Sequence, residues 1–139
     1  MGRLAADDMF GVAQPADFSL IPTVVFTDPE LASVGLTEDE ALAQGYDAAT
    51  VSYPLAVVQR AFYIDARRGI FKLVYERDSR RVLGIHVVSR SAGDVVQGYT
   101  LALAHCVTVD EIAAAHNAFP TFGEGLKYAA QRAVPVAVA

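Results

Sequence analysis

The residues of this chain whose types and spacing could do chemistry lie in the stretch from Ala118 to Lys127. Pro120 has no backbone N–H to donate, and it biases Phe119 toward an extended conformation. Thr121 and Glu124 have the spacing of a capping box, in which each side chain bonds the backbone N–H of the other residue. The stretch is therefore predicted to form a rigid corner that leads into a helix and displays the ring of Phe119. For Glu124 two interpretations stay open: closure of the capping box, which the spacing alone predicts, and acid–base chemistry.

Other groups with chemical potential are less favourably placed. The three histidines, His86, His105 and His116, include no pair three or four residues apart, so no metal site is predicted. Cys106 falls on the apolar stripe of a predicted helix and is expected to be a buried, inert thiol. The glycines around Glu124 lack the preceding strand and the spacing of a dinucleotide-binding loop. Phe119 is either a core or interface aromatic, which is the commoner case, or a site residue; its phenyl ring moves no protons, so nothing in the residues makes it catalytic.

Composition restricts the class of protein. The chain has 139 residues, enough for one domain with one core, and 53% of them are apolar. This surplus suggests that some surface is covered by another chain or domain. The formal net charge of -5 argues against nucleic acid and anionic membranes as partners. The single cysteine excludes an internal disulfide and fits a reducing, cytoplasmic location.

The elements that must position the corner indicate an α+β domain. Strands are predicted at 21–26, 31–35 and 46–55, with Pro54 confining the last to an edge or an end. A hairpin is predicted at 69–77 and 81–88, with Leu83, Ile85 and Val87 on one apolar face. Helices are predicted at 37–45 and at 108–116, which begin at capping boxes of Thr37 and Thr108, from a cap at Ser91 through Cys106, and at 121–132. For residues 56–65 the sequence leaves two predictions open, a crossing loop or a helical turn. The order predicts an antiparallel sheet of about five strands with helices packed against it.

Two motifs resemble a known family. The stretch from Ile21 to Glu38 reads IPTVVFTDPELASVGLTE, and it resembles the opening of the C-terminal dimerisation domain of the FAD-dependent pyridine nucleotide–disulfide oxidoreductases. The stretch from Phe119 to Glu124 reads FPTFGE and is similar to the family's His-Pro-Thr-X-X-Glu segment. Within the family, Thr27-Asp28-Pro29 and Glu124-Gly125-Leu126-Lys127 look most like mercuric reductase. The resemblance implies a dimerisation domain over 21–139, with 1–20 as a linker or the remnant of a preceding FAD domain.

The resemblance also implies a mechanism. In this family reduced nicotinamide passes hydride to FAD, FAD reduces a disulfide, and the dithiol reduces an acceptor. The dimerisation domain forms a homodimer and lends its corner to the partner subunit's active site, where the His is the acid–base group and the Glu orients it. The corner corresponds here to Phe119, Pro120, Thr121 and Glu124, with Phe119 and Pro120 placed toward the partner's flavin site.

The chain departs from the family pattern at the residue that matters most. Phe119 stands where the histidine would be, so the proton relay is absent, and Phe119 also lacks the hydroxyl of the tyrosine common in mercuric reductases. The C-terminal cysteine pair that delivers mercury, the FAD and NAD(P)H domains and the redox-active cysteines all lie outside this sequence. We therefore expect part of an NAD(P)H- and FAD-dependent oxidoreductase, with no catalysis and no cofactor of its own. The acceptor of the parent would be a disulfide or a metal ion, mercuric ion included. The alternative is an autonomous homodimerising module without catalysis.

Overall fold

The computed structural model describes residues 2–12 and 18–134. Five strands form one antiparallel sheet in the order β1-β2-β5-β4-β3, which confirms the predicted α+β class. Period-two patterning and the short 77–81 connection explain the β4–β5 hairpin, while β3, which ends at Pro54, is an edge strand as predicted. The strands are β1 (Thr23–Val25), β2 (Glu30–Gly35), β3 (Ala48–Pro54), β4 (Ile70–Glu76) and β5 (Val82–Ser89).

Helices lie on both faces of this sheet. The helices that the structure describes are α1 (Gly2–Met9), α2 (Glu38–Ala43), α3 (Gln59–Tyr63), α4 (Ala92–Ala104), α5 (Val109–Ala114) and α6 (Glu124–Ala133). The ambiguous segment 56–65 contains the end of a short 3-10 turn, Leu55–Val57, and then α3. Helix α1 was not predicted and has no buried residue. The apolar sequence of residues 134–139 predicts a strand or an ordered tail, and from residue 135 on this segment lies outside the described residues.

The main core lies between the sheet and helices α4 and α6. Phe71 and Leu73 of β4 are fully buried, as are Val96 of α4 and Leu126 of α6. A second, smaller cluster on the other side of β4 packs Val74 and its neighbours against α2. The buried face of α6 follows directly on the corner that precedes this helix.

The prediction that Leu83 shares a face with Ile85 and Val87 is wrong. Val74 pairs with Gly84 but Tyr75 pairs with Val82, so Leu83 is an extra residue in β5 at a register shift. Such a bulge interrupts the alternation of side chains. Leu83 consequently joins the smaller cluster.

Two helices begin at complete capping boxes, as predicted. The N–H of Thr37 donates to Glu40 Oε2 at 2.8 Å, and the Thr37 hydroxyl accepts from the Glu40 N–H at 3.3 Å. Thr108 and Glu111 repeat this pattern at 2.8 and 3.2 Å. In both boxes the hydrogen bond from the threonine N–H is the main cause that lowers the pKa of the glutamate.

Two expectations for helix α4 are wrong. Ser91 occupies the N-cap position, but its side chain makes no capping bond; the N–H of Gly93 instead donates to Glu30 Oε2 of β2 at 3.2 Å. Cys106 is exposed, not buried, because α4 ends at Ala104 and Cys106 then adopts a left-handed conformation with φ of 56°. The apolar stripe stops with the helix.

Candidate functional site

The corner before α6 displays an aromatic ring, as predicted. Phe119 is 68% exposed, whereas Phe122, three residues later, is buried in the core. The Phe119–Pro120 peptide bond is cis. The corner is thus fixed through Phe122 and leaves the Phe119 side chain in solvent.

Glu124, the first residue of α6, is hydrogen-bonded to the corner. Glu124 as a residue is 5% exposed, and both oxygens of its carboxylate are bonded: Oε2 accepts from the Thr121 N–H at 2.9 Å, and Oε1 accepts from the Tyr128 hydroxyl at 3.0 Å. The predicted reach from Glu124 back to the Thr121 N–H is present. A buried carboxylate with both oxygens occupied is suited to structural support and poorly suited to exchanging protons with a substrate.

The other half of the predicted capping box is wrong. The Thr121 hydroxyl donates to the Ala118 carbonyl at 2.8 Å instead of accepting from the backbone of α6. Gly123, already in a helical conformation, is the N-cap residue, and α6 begins at Glu124 and not at Thr121. The Thr121 side chain therefore bonds a residue of the corner itself and not the first turn of α6.

Tyr128 is a residue of the site that the sequence reasoning missed. The hydrogen bond to Glu124 is the main cause that raises its pKa. Its ring lies 5.3 Å from that of Tyr53 on edge strand β3, and the guanidinium of Arg132 lies 4.6 Å from the Tyr53 ring centroid. The spacing of four residues between Glu124 and Tyr128 on a helix is the signal that would have found this pair.

A groove of about 730 Å³ lies beside the corner, between α4 and residues 115–123. Inside it the Tyr99 hydroxyl donates to the Gly123 carbonyl at 3.3 Å, and Asn117 Nδ2 donates to the Tyr99 hydroxyl at 3.4 Å. Burial raises the pKa of Tyr99. These bonds tie α4 to the residue that caps α6, and Pro120 and Thr121 form part of the groove wall.

The histidines do not come together. His86 is half-buried on β5, and its Nε2–H donates to the Leu36 carbonyl at 3.1 Å; burial is the main cause that lowers its pKa. His105 and His116 are exposed. Within residues 2–12 and 18–134, no three His, Cys, Asp or Glu side chains are arranged to hold a metal ion. None of the helices in those ranges combines the length and apolar run needed to cross a membrane.

Comparison with known proteins places this geometry in a family. The model of the pyridine nucleotide-disulphide oxidoreductase dimerisation domain matches residues 21–130. A mercuric reductase of Lysinibacillus sphaericus is 42% identical over 129 residues, 93% of this chain and 24% of that protein. A dihydrolipoyl dehydrogenase of Bacillus subtilis is 35% identical over 133 residues, 96% of this chain and 28% of that protein. The chain spans about a quarter of the length of these curated relatives.

Solved structures agree with this assignment. LpdA from Mycobacterium tuberculosis matches with a TM-score of 0.84 and 28% identity, over 96% of this chain and 29% of that one. The flavoprotein disulfide reductase RclA from Escherichia coli matches with a TM-score of 0.83 over 93% of this chain and 30% of its own; at 23% identity it supports the fold alone. The predicted family and the likeness to mercuric reductases are confirmed. The chain belongs to the dimerisation-domain family of the pyridine nucleotide-disulphide oxidoreductases.

Proposed function

We propose that this chain is the dimerisation domain of a mercuric-reductase-like flavoprotein and that it has no catalytic activity by itself. The parent would carry electrons from NAD(P)H through FAD to a disulfide or metal-ion acceptor, as a cytoplasmic homodimer. The proposal rests on the corner from Phe119 to Glu124, whose spacing is similar to that of the family's His-Pro-Thr-X-X-Glu segment. In this corner the Phe119 ring is exposed, and the buried Glu124 carboxylate is hydrogen-bonded through both of its oxygens.

The residues of the corner fit a supporting role beside a flavin. Phe119 and Pro120 offer an apolar wall and no proton donor, so they would exclude water from the partner subunit's flavin site without taking part in proton transfer. Glu124 would keep that wall in place through the Thr121 N–H. FAD, when bound by the parent, supplies the hydride and electron transfer, and proton transfer to the acceptor would fall to groups outside this corner.

Absorbance spectroscopy and an NADPH oxidation assay on the purified chain test the proposal. The expected preparation is colourless and does not oxidise NADPH with either disulfide or mercuric ion as acceptor. A yellow preparation with a flavin spectrum would contradict it. On the full-length protein, NADPH oxidation that depends on mercuric ion would identify a metal-ion acceptor, while oxidation that depends on a disulfide would identify the other class.

A second candidate is an autonomous homodimerising module without catalysis. Large exposed apolar side chains, such as Phe26 at 83%, favour it because they provide surface for a partner. The genomic sequence upstream of Met1 discriminates the two. In-frame FAD and NAD(P)H domains support the flavoprotein, whereas a stop codon followed by a promoter supports the module.

A further inference from the structure

A cavity of about 530 Å³ lies at one end of the sheet and shares no lining residue with the groove beside the corner. It forms where β2 and β4 begin and β5 ends, so residues from three separate connections meet there. Its charged lining consists of three arginines and two aspartates, which are Arg67, Arg68, Arg90, Asp28 and Asp65. A concave site with several guanidinium groups has the shape and charge that recognise an anion.

The backbone that carries two of these arginines is held rigidly. The Ala66 N–H donates to the Ala61 carbonyl at 2.9 Å, and the Gly69 carbonyl accepts from the Leu55 N–H at 3.0 Å. Gly69 has a φ of 151°, and a Cβ placed there would lie 1.9 Å from the Val88 carbonyl oxygen. The backbone of the loop is therefore closed against β5, and this fixes where the side chains of Arg67 and Arg68 leave the chain.

The charges in the cavity are incompletely balanced. Arg67 is occupied, with Nε 3.5 Å from Asp65 Oδ1 and its guanidinium 4.5 Å from the centroid of the Phe62 ring. The guanidinium groups of Arg68 and Arg90 form no ion pair or side-chain hydrogen bond with any residue that the structure describes. Three positive and two negative groups leave a local excess of one positive charge in a chain whose net charge is -5.

We infer that this cavity binds the phosphoryl group of a small-molecule anion through Arg68 and Arg90. A phosphoryl dianion presents three oxygens in a tetrahedral array, so it can accept from guanidinium forks that approach from different loops, whereas a carboxylate offers two oxygens in one plane. Arg67 and Asp65 would fix one wall of the site. This inference concerns a different region from the corner and does not depend on the proposed flavoprotein function.

Isothermal titration of the 139-residue chain with inorganic pyrophosphate tests the inference, with succinate as a carboxylate dianion for comparison. We expect saturable binding of pyrophosphate and weaker binding of succinate. In the R68Q/R90Q double variant the affinity should fall at least about tenfold, since charge-assisted hydrogen bonds are lost. Arg77→Gln is the matched control, because Arg77 is an exposed arginine paired with Asp47 outside the cavity.

A gain-of-binding variant makes the test more demanding. Asp28→Asn removes a negative charge from the cavity wall, so pyrophosphate should bind more tightly to this variant than to the original chain. A thermal melt of each variant establishes that it is folded. The inference is overturned if the folded chain does not bind pyrophosphate, if R68Q/R90Q and R77Q bind it equally well, or if succinate binds as tightly as pyrophosphate.

Discussion

Glu124 is the residue on which the geometry of the corner depends. Replacing it with Gln keeps the size of the side chain but turns one acceptor into a donor, so both bonds lose their charged acceptor and the Tyr128 hydroxyl has to accept instead of donate. At a buried position this should lower the free energy of unfolding by about 1–3 kcal/mol, as measured by chemical denaturation. Tyr128→Phe is the milder comparison, with an expected loss of about 0.5–1.5 kcal/mol. Equal stability of the original chain and Glu124→Gln would show that the carboxylate does not support the corner.

Two glycines in helices provide a matched pair for packing. A Cβ on Gly125 of α6 would lie 2.2 Å from the fully buried ring of Phe71, whereas a Cβ on Gly98 of α4 would meet nothing within 4 Å. Gly125→Ala should therefore destabilise the chain by at least about 1–3 kcal/mol through overpacking. Gly98→Ala should stabilise it by about 0.5–1 kcal/mol, because alanine loses less backbone entropy in a helix. Urea denaturation of both variants checks the pair, and a neutral Gly125→Ala would mean that Phe71 can move.

At the scale of elements, the start of a helix depends on which group caps it. Thr108→Ala removes a hydroxyl that accepts from the Glu111 N–H, so we expect a loss of about 1 kcal/mol in the free energy of unfolding. Ser91→Ala should change stability much less, because the Ser91 side chain makes no capping bond and Glu30 serves the first turn of α4. Thermal or chemical denaturation measures both. A larger loss for Ser91→Ala than for Thr108→Ala would contradict this assignment of the caps.

The half-buried position of His86 on β5 makes stability depend on pH. Burial lowers the pKa of His86 below its ordinary value of 6.5, so the unfolded chain binds more protons than the folded chain in this range. The contribution of His86 to stability is therefore fully present above about pH 6.5 and is lost as the pH falls through the lowered pKa.

Denaturation curves between pH 8 and pH 5 should thus show decreasing stability toward acid. His86→Gln should remove part of that slope, while substitution of the exposed His105 by Gln should leave the slope unchanged. If both variants keep the slope of the original chain, His86 is not its source.

Local patterns predicted those elements whose signal lies within a few residues. The β4–β5 hairpin follows from period-two alternation, and the caps at Thr37 and Thr108 follow from a spacing of three residues. The bulge at Leu83 was missed because it arises from pairing with β4, which alternation along one strand does not reveal. Cys106 was misplaced because nothing in the apolar stripe marks where α4 ends.

In the candidate site, too, features with a local sequence signal were predicted and features that depend on tertiary structure were not. The display of the Phe119 ring was predicted from the corner that Pro120 and Thr121 form. The turn of the Thr121 hydroxyl toward Ala118 depends on the three-dimensional path of the corner. The arginine cavity could not be predicted, because Arg68 and Arg90 meet only through the order of strands in the sheet.

For the molecule as a whole, the distribution of apolar surface predicts self-association. Phe26 is 83% exposed, Phe119 68% and Leu101 66%, although the main core is closed by α4 and α6. Apolar side chains of this size favour burial against a partner, and the family to which the chain belongs is a dimerisation family. Sedimentation equilibrium over a range of concentrations should therefore show a monomer–dimer equilibrium.

The strength of this association also separates the two candidate functions. An autonomous module should form a stable dimer. If the chain is instead the domain of a flavoprotein, its isolated form lacks the partner's flavin site, against which the Phe119 corner would pack. The isolated domain should then dimerise more weakly. Raising the ionic strength should not weaken a dimer held by apolar surface, since salt screens charges and not hydrophobic contacts. A chain that stays monomeric at the highest concentration would contradict the predicted self-association and show that the interface needs surface outside these 139 residues.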